Sequence, residues 1–254
     1  MIVVEDIHFA YGDEGGAPHQ VLEGITTQIH PGEFVAIMGA NGSGKSTFVK
    51  CLNGLLLPNS GRVLIDGLDT ASDSDLAAIR RRVGMIFQNP DNQIVSATVE
   101  REIAFGLENL GVPYEEMHRR VEEMLQRFDL LPLRRKSPHY LSGGEKQRLA
   151  LAAGLAMRPR YVILDEPTSL LDPQHRSDIL DILQTWHRRE KIATVLVTQF
   201  AEEALLAERL LLFHRGRIHL QGAPAVIFAQ LPELERIGLE APLSVYLEQA
   251  LAGL

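Results

Sequence analysis

Cysteine is almost missing from this sequence: Cys51 stands alone among 254 residues. That excludes an intramolecular disulfide framework and fits a reducing compartment. A small buried side chain is its expected role. Aromatic residues are scarce too, at 6% against a hydrophobic fraction of 45%, so the core is expected to be aliphatic. Basic charge is not in excess, since 25 Lys and Arg face 33 Asp and Glu for a net charge of −8. Without a basic footprint, no nucleic-acid partner is expected. No run reaches the ~18 apolar residues that a spanning helix needs. The most apolar helical stretch, Leu149 to Met157, is rich in alanine and about half that length. Met1-Ile2-Val3-Val4-Glu5-Asp6 places acids where a secretory signal would be positive. The chain is therefore expected in the cytoplasm, attached to a membrane only through another chain. It shows no solenoid-period repeat, and its length suits one large domain or a core with a smaller lobe.

What is present reads first as strands. Ile25, Thr27 and Ile29 alternate with polar residues, and Glu33 to Met38 is a short apolar run ending at Gly39. Arg62 to Gly67 reads as strand then turn, and Val83 to Phe87 as another short run. Tyr161 to Leu164 and Ala193 to Val197 have the length and β-branching of strands buried on both faces. Helical patterns separate them, which predicts parallel strands with crossovers. Leu210 to Phe213 and Arg217 to Leu220 flank His214-Arg215-Gly216, a hairpin signal. From about Thr98 to Met157 the period turns helical; Met117, Val121, Met124, Leu125 and Phe128 form a core stripe with Glu and Arg opposite. Residues 223–254 read as a mostly helical tail.

Three motifs carry chemistry. Gly39-Ala40-Asn41-Gly42-Ser43-Gly44-Lys45-Ser46-Thr47 matches G-x-x-x-x-G-K-[ST]. Glycines let the backbone wrap phosphates, and the following helix presents the positive end of its dipole. Lys45 would reach the β- and γ-phosphates of ATP, and Ser46 would place its hydroxyl on Mg²⁺. A Gly-rich turn without a ligand is the alternative, and the apolar strand before the loop with a helix after it argues against that. Asp165 and Glu166 end a buried strand, where adjacent carboxylates need a cation or a reacting water. Asp165 would support the Mg²⁺ shell, and Glu166 would polarise the attacking water as general base. Finally, Leu141-Ser142-Gly143-Gly144-Glu145 reads both as a capping box and as a Gly-opened anion site.

The order P-loop, Gln88, LSGGE and LDE resembles the ABC ATPases over essentially the whole chain. The resemblance implies an α/β fold, a P-loop NTPase with a RecA-like parallel core and an antiparallel β lobe. It also implies an inserted helical lobe and a helical C-terminal extension. On that basis the ATPase domain is expected at 1–222, with its core at 1–88 and 161–222, its helical lobe at about 89–160 and the extension at 223–254. The family's head-to-tail dimer would bring Ser142, Gly143, Gly144 and Glu145 of one chain onto the ATP held by the other, whether that other is identical or a related sister. By the same resemblance Tyr11 stacks on adenine, although an ordinary strand-end tyrosine is the competing reading. Gln88 looks like the lobe-linking glutamine that senses Mg²⁺ and the transmembrane partner. Ser169 to Asp172 is similar to the loop that crosses the dimer interface, while Asp172-Pro173 is also an ordinary N-cap with Pro at N1.

Gln88-Asn89-Pro90-Asp91-Asn92-Gln93 and Ala104 to Asn109, with Gly222-Ala223-Pro224 and Gly238 to Pro242 in the tail, look like the ATPases of energy-coupling-factor importers, which take up vitamins, cobalt or nickel. Such a chain would sit at the cytoplasmic face of the membrane, with a transmembrane coupling subunit and a substrate-binding membrane subunit. Glu100 and Glu102 are expected to be exposed on the face toward that partner. One position departs from the family. Where a histidine usually contacts the γ-phosphate, this sequence has Gln199, whose amide can donate a hydrogen bond but cannot take up a further proton or a positive charge. Two readings follow: an active ATPase motor, favoured by Glu166, or an ATP-binding, weakly hydrolysing partner of an active sister, favoured by Gln199. His175 and His214 are expected in solvent, at a helix start and in a turn.

Overall fold

The computed structural model describes residues 1–12 and 18–252. Strands β1 (Ile2–Tyr11) and β2 (His19–Ile29) lead to β3 (Phe34–Gly39) and helix α1 (Lys45–Leu52). Next come β4 (Ser60–Ile65), β5 (Leu68–Asp69), α2 (Asp73–Arg82) and β6 (Val83–Ile86). A helical stretch holds α3 (Val99–Asn109), α4 (Tyr114–Arg127) and α5 (Gly143–Ala156). The chain then alternates through β7 (Tyr161–Asp165), α6 (Pro173–Glu190), β8 (Ala193–Val197) and α7 (Ala201–Ala204). It closes with β9 (Arg209–His214), β10 (Arg217–Gly222), α8 (Pro224–Phe228), α9 (Leu231–Arg236) and α10 (Leu243–Ala252).

Two sheets result. The first, ordered β2-β1-β4-β5, is antiparallel. The second is ordered β10-β9-β3-β8-β7-β6, parallel throughout except for the β9–β10 hairpin. The expected parallel strands are therefore present. They lack polar alternation because this sheet is covered on both faces. In β3, Phe34, Ala36 and Met38 enter the core shared with α3, α4 and α5, whereas Val35 and Ile37 enter the core shared with β1, β2 and α1. One sheet thus divides two aliphatic cores. Cys51 is buried in the second of them, where desolvation pushes its thiol up to about 12.

In β1 the inward residues are Ile2 and Val4, then Ile7 and Phe9. The change of phase falls at a bulge between Val4 and Ile7, where Asp6 has φ 45°. The extra residue returns the later side chains to the core face. The helical stretch follows its sequence pattern: Val121, Met124 and Leu125 of α4 are buried and its charges face outward. Helix α5 is buried nearly all round. The tail is helical as expected, and its Ile227, Phe228, Leu234 and Ile237 join the same core as α5. No helix among the described residues is long and apolar enough to cross a membrane.

Three local expectations need correction. Glu102 is buried, because its carboxylate accepts hydrogen bonds from the backbone N–H groups of Val95 (3.0 Å) and Ser96 (2.7 Å) and so closes the loop before α3. Glu100 is half-buried instead of exposed, and it pairs with Arg134 at 2.7 Å. His214 ends strand β9 instead of occupying the turn. The two turn residues are Arg215 and Gly216, with φ 48° and 77°, as a tight hairpin of matching twist requires.

Candidate functional site

The loop from Gly39 to Gly44 leaves β3 at its carboxyl end and delivers the chain into α1. Gly39 is pressed against the neighbouring strand: a Cβ there would lie 2.3 Å from the Phe213 carbonyl oxygen and 2.6 Å from Ser43 Oγ. Ser43 N–H donates to the Ala40 carbonyl at 3.1 Å, folding the loop on itself. Lys45 turns back into this loop, and its ammonium donates to the carbonyls of Gly39 (2.8 Å) and Ala40 (3.2 Å). Burial lowers its pKa, and the charges of Glu166 and Asp165 oppose that shift. One residue on, Ser46 Oγ donates to Asp165 Oδ1 at 2.9 Å, across 119 residues of sequence. Burial raises the Asp165 pKa, against the Ser46 hydrogen bond and the charges of Lys50 and Lys45.

Glu166 follows directly on β7 with φ 49°, and its N–H donates to the Val197 carbonyl of β8 at 3.0 Å. Gln88 Nε2 donates to Glu166 Oε2 (3.1 Å) and to Ser169 Oγ (3.2 Å), and Ser169 Oγ donates to the Glu166 carbonyl at 3.0 Å. The Gln88 to Gln93 segment is in turn tied to α5, because Gln93 Nε2 donates to the Ala150 carbonyl at 3.2 Å and Lys146 pairs with Asp91 at 2.7 Å. Gln199 lies just past β8.

These elements meet in one open cavity of about 600 Å³, lined by Tyr11, Asn41, Gly42, Gly44, Lys45, Ser46, Thr47, Gln88, Glu166 and Gln199. His19 and Val21 of β2 also line it. Sequence reasoning passed over both, because nothing in their local pattern distinguishes them from other edge-strand residues. Tyr11 is half-exposed at the cavity edge, its ring edge-on to Phe9 and its hydroxyl 3.3 Å from Thr47 Oγ1. Gly39, Ala40, Ser43 and Asp165 do not line it; Asp165 reaches it through its hydrogen bond from Ser46.

Ser142 to Glu145 lie outside this cavity. Ser142 Oγ accepts from the Glu145 N–H (3.3 Å) while Glu145 Oε2 accepts from the Ser142 N–H (2.7 Å), a reciprocal cap on α5. Those bonds hold the Glu145 carboxyl below its usual range. A Cβ on Gly143 would meet open space, whereas one on Gly144 would lie 2.8 Å from the His175 ring. Gly144 thus packs closely against the start of α6. His175 is correspondingly half-buried instead of free in solvent, and its Nδ1 pairs with Asp172 at 2.6 Å. Asp172 also caps α6 through the N–H groups of Gln174 and His175, both at 3.1 Å.

A phosphate-wrapping loop, a buried lysine and a hydroxyl–carboxylate pair at the carboxyl ends of parallel strands define a P-loop nucleotide-binding protein. Residues 22–169 match the ABC transporter family, and the chain belongs to that family. Among curated relatives, the energy-coupling factor transporter ATP-binding protein EcfA1 of Symbiobacterium thermophilum is 47% identical over 248 residues, covering 96% of this chain and 86% of its own. EcfA1 of Bacillus subtilis is 44% identical over 253 residues, covering 99% and 88%. Of solved structures, cbiO1 from Clostridium perfringens, part of the ABC transporter complex cbiONQ, superposes with a TM-score of 0.81 at 35% identity and covers 98% of each chain. The dimeric post-hydrolysis state of the ATP-binding cassette MJ0796, bound to ADP and Pi, superposes with a TM-score of 0.81 at 30% identity, covering 88% of this chain and 99% of its own.

Proposed function

We propose that this chain is the ATP-hydrolysing subunit of an energy-coupling-factor importer, working in pairs at the cytoplasmic face of the membrane. The observation that carries the reading is the single cavity in which Lys45, Ser46, Gln88 and Glu166 converge. Backbone N–H groups of the loop and Lys45 bind the triphosphate of ATP. Tyr11, which also lines the cavity, would stack on the base. The Ser46 hydroxyl and the Asp165 carboxylate, 2.9 Å apart, are an oxygen-only donor set that fits Mg²⁺. When bound there, Mg²⁺ supplies positive charge against the β- and γ-phosphates. Glu166, held by Gln88, takes the proton of the attacking water, and Gln199 donates to the γ-phosphate side of the cavity. Ser142 to Glu145 lie outside their own chain's cavity, which fits a head-to-tail pair in which they close the partner's.

Gln199 bears on rate more than on whether the site works. Its amide supplies one donor where an imidazolium would add charge. Gln199→His is expected to raise single-turnover hydrolysis by about threefold or more, with ATP affinity little changed, because the gain belongs to the transition state. A large shift in affinity instead would assign Gln199 to ground-state binding.

A second cavity, of about 470 Å³, opens between α2, α3 and α5 and is lined by Arg80, Arg81, Met85, Gln93, Phe105 and Met157 among others. Its apolar floor, basic rim and link through Gln93 to the Gln88 segment suit a helix of the transmembrane coupling subunit. The test is phosphate release from ATP by the purified chain, alone and with its membrane partners. The chain alone should hydrolyse ATP. Phe105→Asp should leave that rate within about twofold while reducing co-purification with the coupling subunit at least tenfold, as loss of a buried aromatic anchor does. Normal co-purification would place the contact elsewhere.

A further inference from the structure

Glu203, on α7, is 1% exposed and touches neither the cavity nor the P-loop. Two hydroxyls donate to its carboxylate, Thr168 Oγ1 to Oε1 and Thr198 Oγ1 to Oε2, each at 2.6 Å. These threonines belong to different strand ends. Thr168 lies two residues past Glu166 and its carbonyl accepts from the Leu171 N–H at 3.1 Å. Thr198 immediately precedes Gln199, and its hydroxyl also accepts from the Phe200 N–H at 3.0 Å. The three-residue turn 198–200 is therefore pinned at both ends, with Gln199 between them. Arg176 of α6 completes the cluster: its Nε lies 3.8 Å from Glu203 Oε1, and its guanidinium sits 3.6 Å over the Phe200 ring.

A buried carboxylate is expensive to desolvate and adds little stability over an apolar side chain of like volume. Burial raises the Glu203 pKa, opposed by the Thr168 and Thr198 hydrogen bonds and by Arg176. What such a group supplies is geometry, since two short donations fix two loops with respect to each other. We propose that Glu203 is a positioning residue for hydrolysis, holding the turn that carries Gln199 in register with the loop that carries Glu166. It acts through Thr198 and Thr168 and does not touch ATP. The inference rests on the ATPase reading above.

The experiment compares E203A, E203Q and T198V with the parent chain by single-turnover hydrolysis, equilibrium ATP binding and amide hydrogen exchange. E203A should lower turnover about 10–100-fold while ATP affinity stays within about threefold, because the P-loop is untouched. E203Q keeps an acceptor for Thr198 and gains a donor for Thr168, so it should retain at least about a third of the turnover. In a Q199A background, E203A should add less than about threefold, since both changes remove the same oriented group. A general loss of stability would instead add in full. T198V, which removes only the pinning hydroxyl, should reproduce the E203A loss and serves if E203A does not fold. Exchange at Phe200 and Leu171 should quicken together in E203A, with the interior of β3 unchanged. That readout is independent of activity, so a parent chain without turnover would sink the ATPase reading while exchange still decided the positioning role. Unchanged exchange at either residue, full additivity with Q199A, or affinity falling in step with turnover would overturn the proposal.

Discussion

Glu166→Gln is expected to lower single-turnover ATP hydrolysis by about 10²–10⁴-fold, the range that loss of a positioned general base produces. Binding should survive the change. The substituted amide keeps the side-chain shape and an oxygen for Gln88 Nε2, which donates to Glu166 at 3.1 Å, while Lys45, Ser46 and Asp165 are untouched. What is lost is an oxygen able to accept the proton of the attacking water. If Ser142 to Glu145 complete the cavity of a second chain, stalled hydrolysis should also trap the pair. Sedimentation of this variant with ATP and Mg²⁺ should then give a dimer, and without ATP a monomer. A variant that hydrolyses at the parent rate would remove Glu166 from the mechanism. An ATP-independent monomer would remove the signature segment from the site.

The second large effect is expected at Gly39. It pairs with Phe213 in the β3–β9 register, and an added Cβ would stand 2.3 Å from that residue's carbonyl oxygen. Backbone in a central strand cannot swing aside as a side-chain tip can. Gly39→Ala should therefore push β3 from β9 where the phosphate loop begins, lowering stability by about 1–3 kcal/mol. ATP affinity should fall at least about tenfold with it, because the carbonyls of Gly39 and Ala40 that hold Lys45 move too. Gly42→Ala is the control. Its Cβ would meet nothing within 4 Å, so only the left-handed backbone, φ 77°, opposes it, at about 1–2 kcal/mol. Thermal unfolding and ATP titration of both variants decide the matter. Equal effects on affinity would mean that crowding by Phe213 is not the constraint.

Much of this fold could be read directly from the sequence. Strands buried on both faces announce themselves as unbroken aliphatic runs, and the phosphate loop is a contiguous string whose neighbours can be recognised. Features lacking such local marks escaped. Helix α2 buries only Ile79, so it has no apolar stripe. Its Asp73 and Asp75 at the start and Arg80 to Arg82 at the end suit the helix dipole, but that is a weak sign by comparison. The role of Glu102 was misread because an acid in the first turn of a helix looks solvated until the loop folds over it. Glu203 was missed for a related reason. Its partners Thr168 and Thr198 lie on two other segments, and only the parallel pairing of β7 with β8 brings them together. Spacing in sequence reports what one element can do by itself. Contacts made where strand ends converge require the sheet order first.

Glu166 also sets chemistry against endurance. A side chain other than glycine is disfavoured in the left-handed backbone region by about 1–2 kcal/mol, and residue 166 is held there at φ 49°. Glycine, or asparagine with its greater tolerance, would relax that strain. Selection for heat tolerance alone would therefore favour replacing the carboxylate proposed to activate the water, and only selection for ATP-driven transport would keep it.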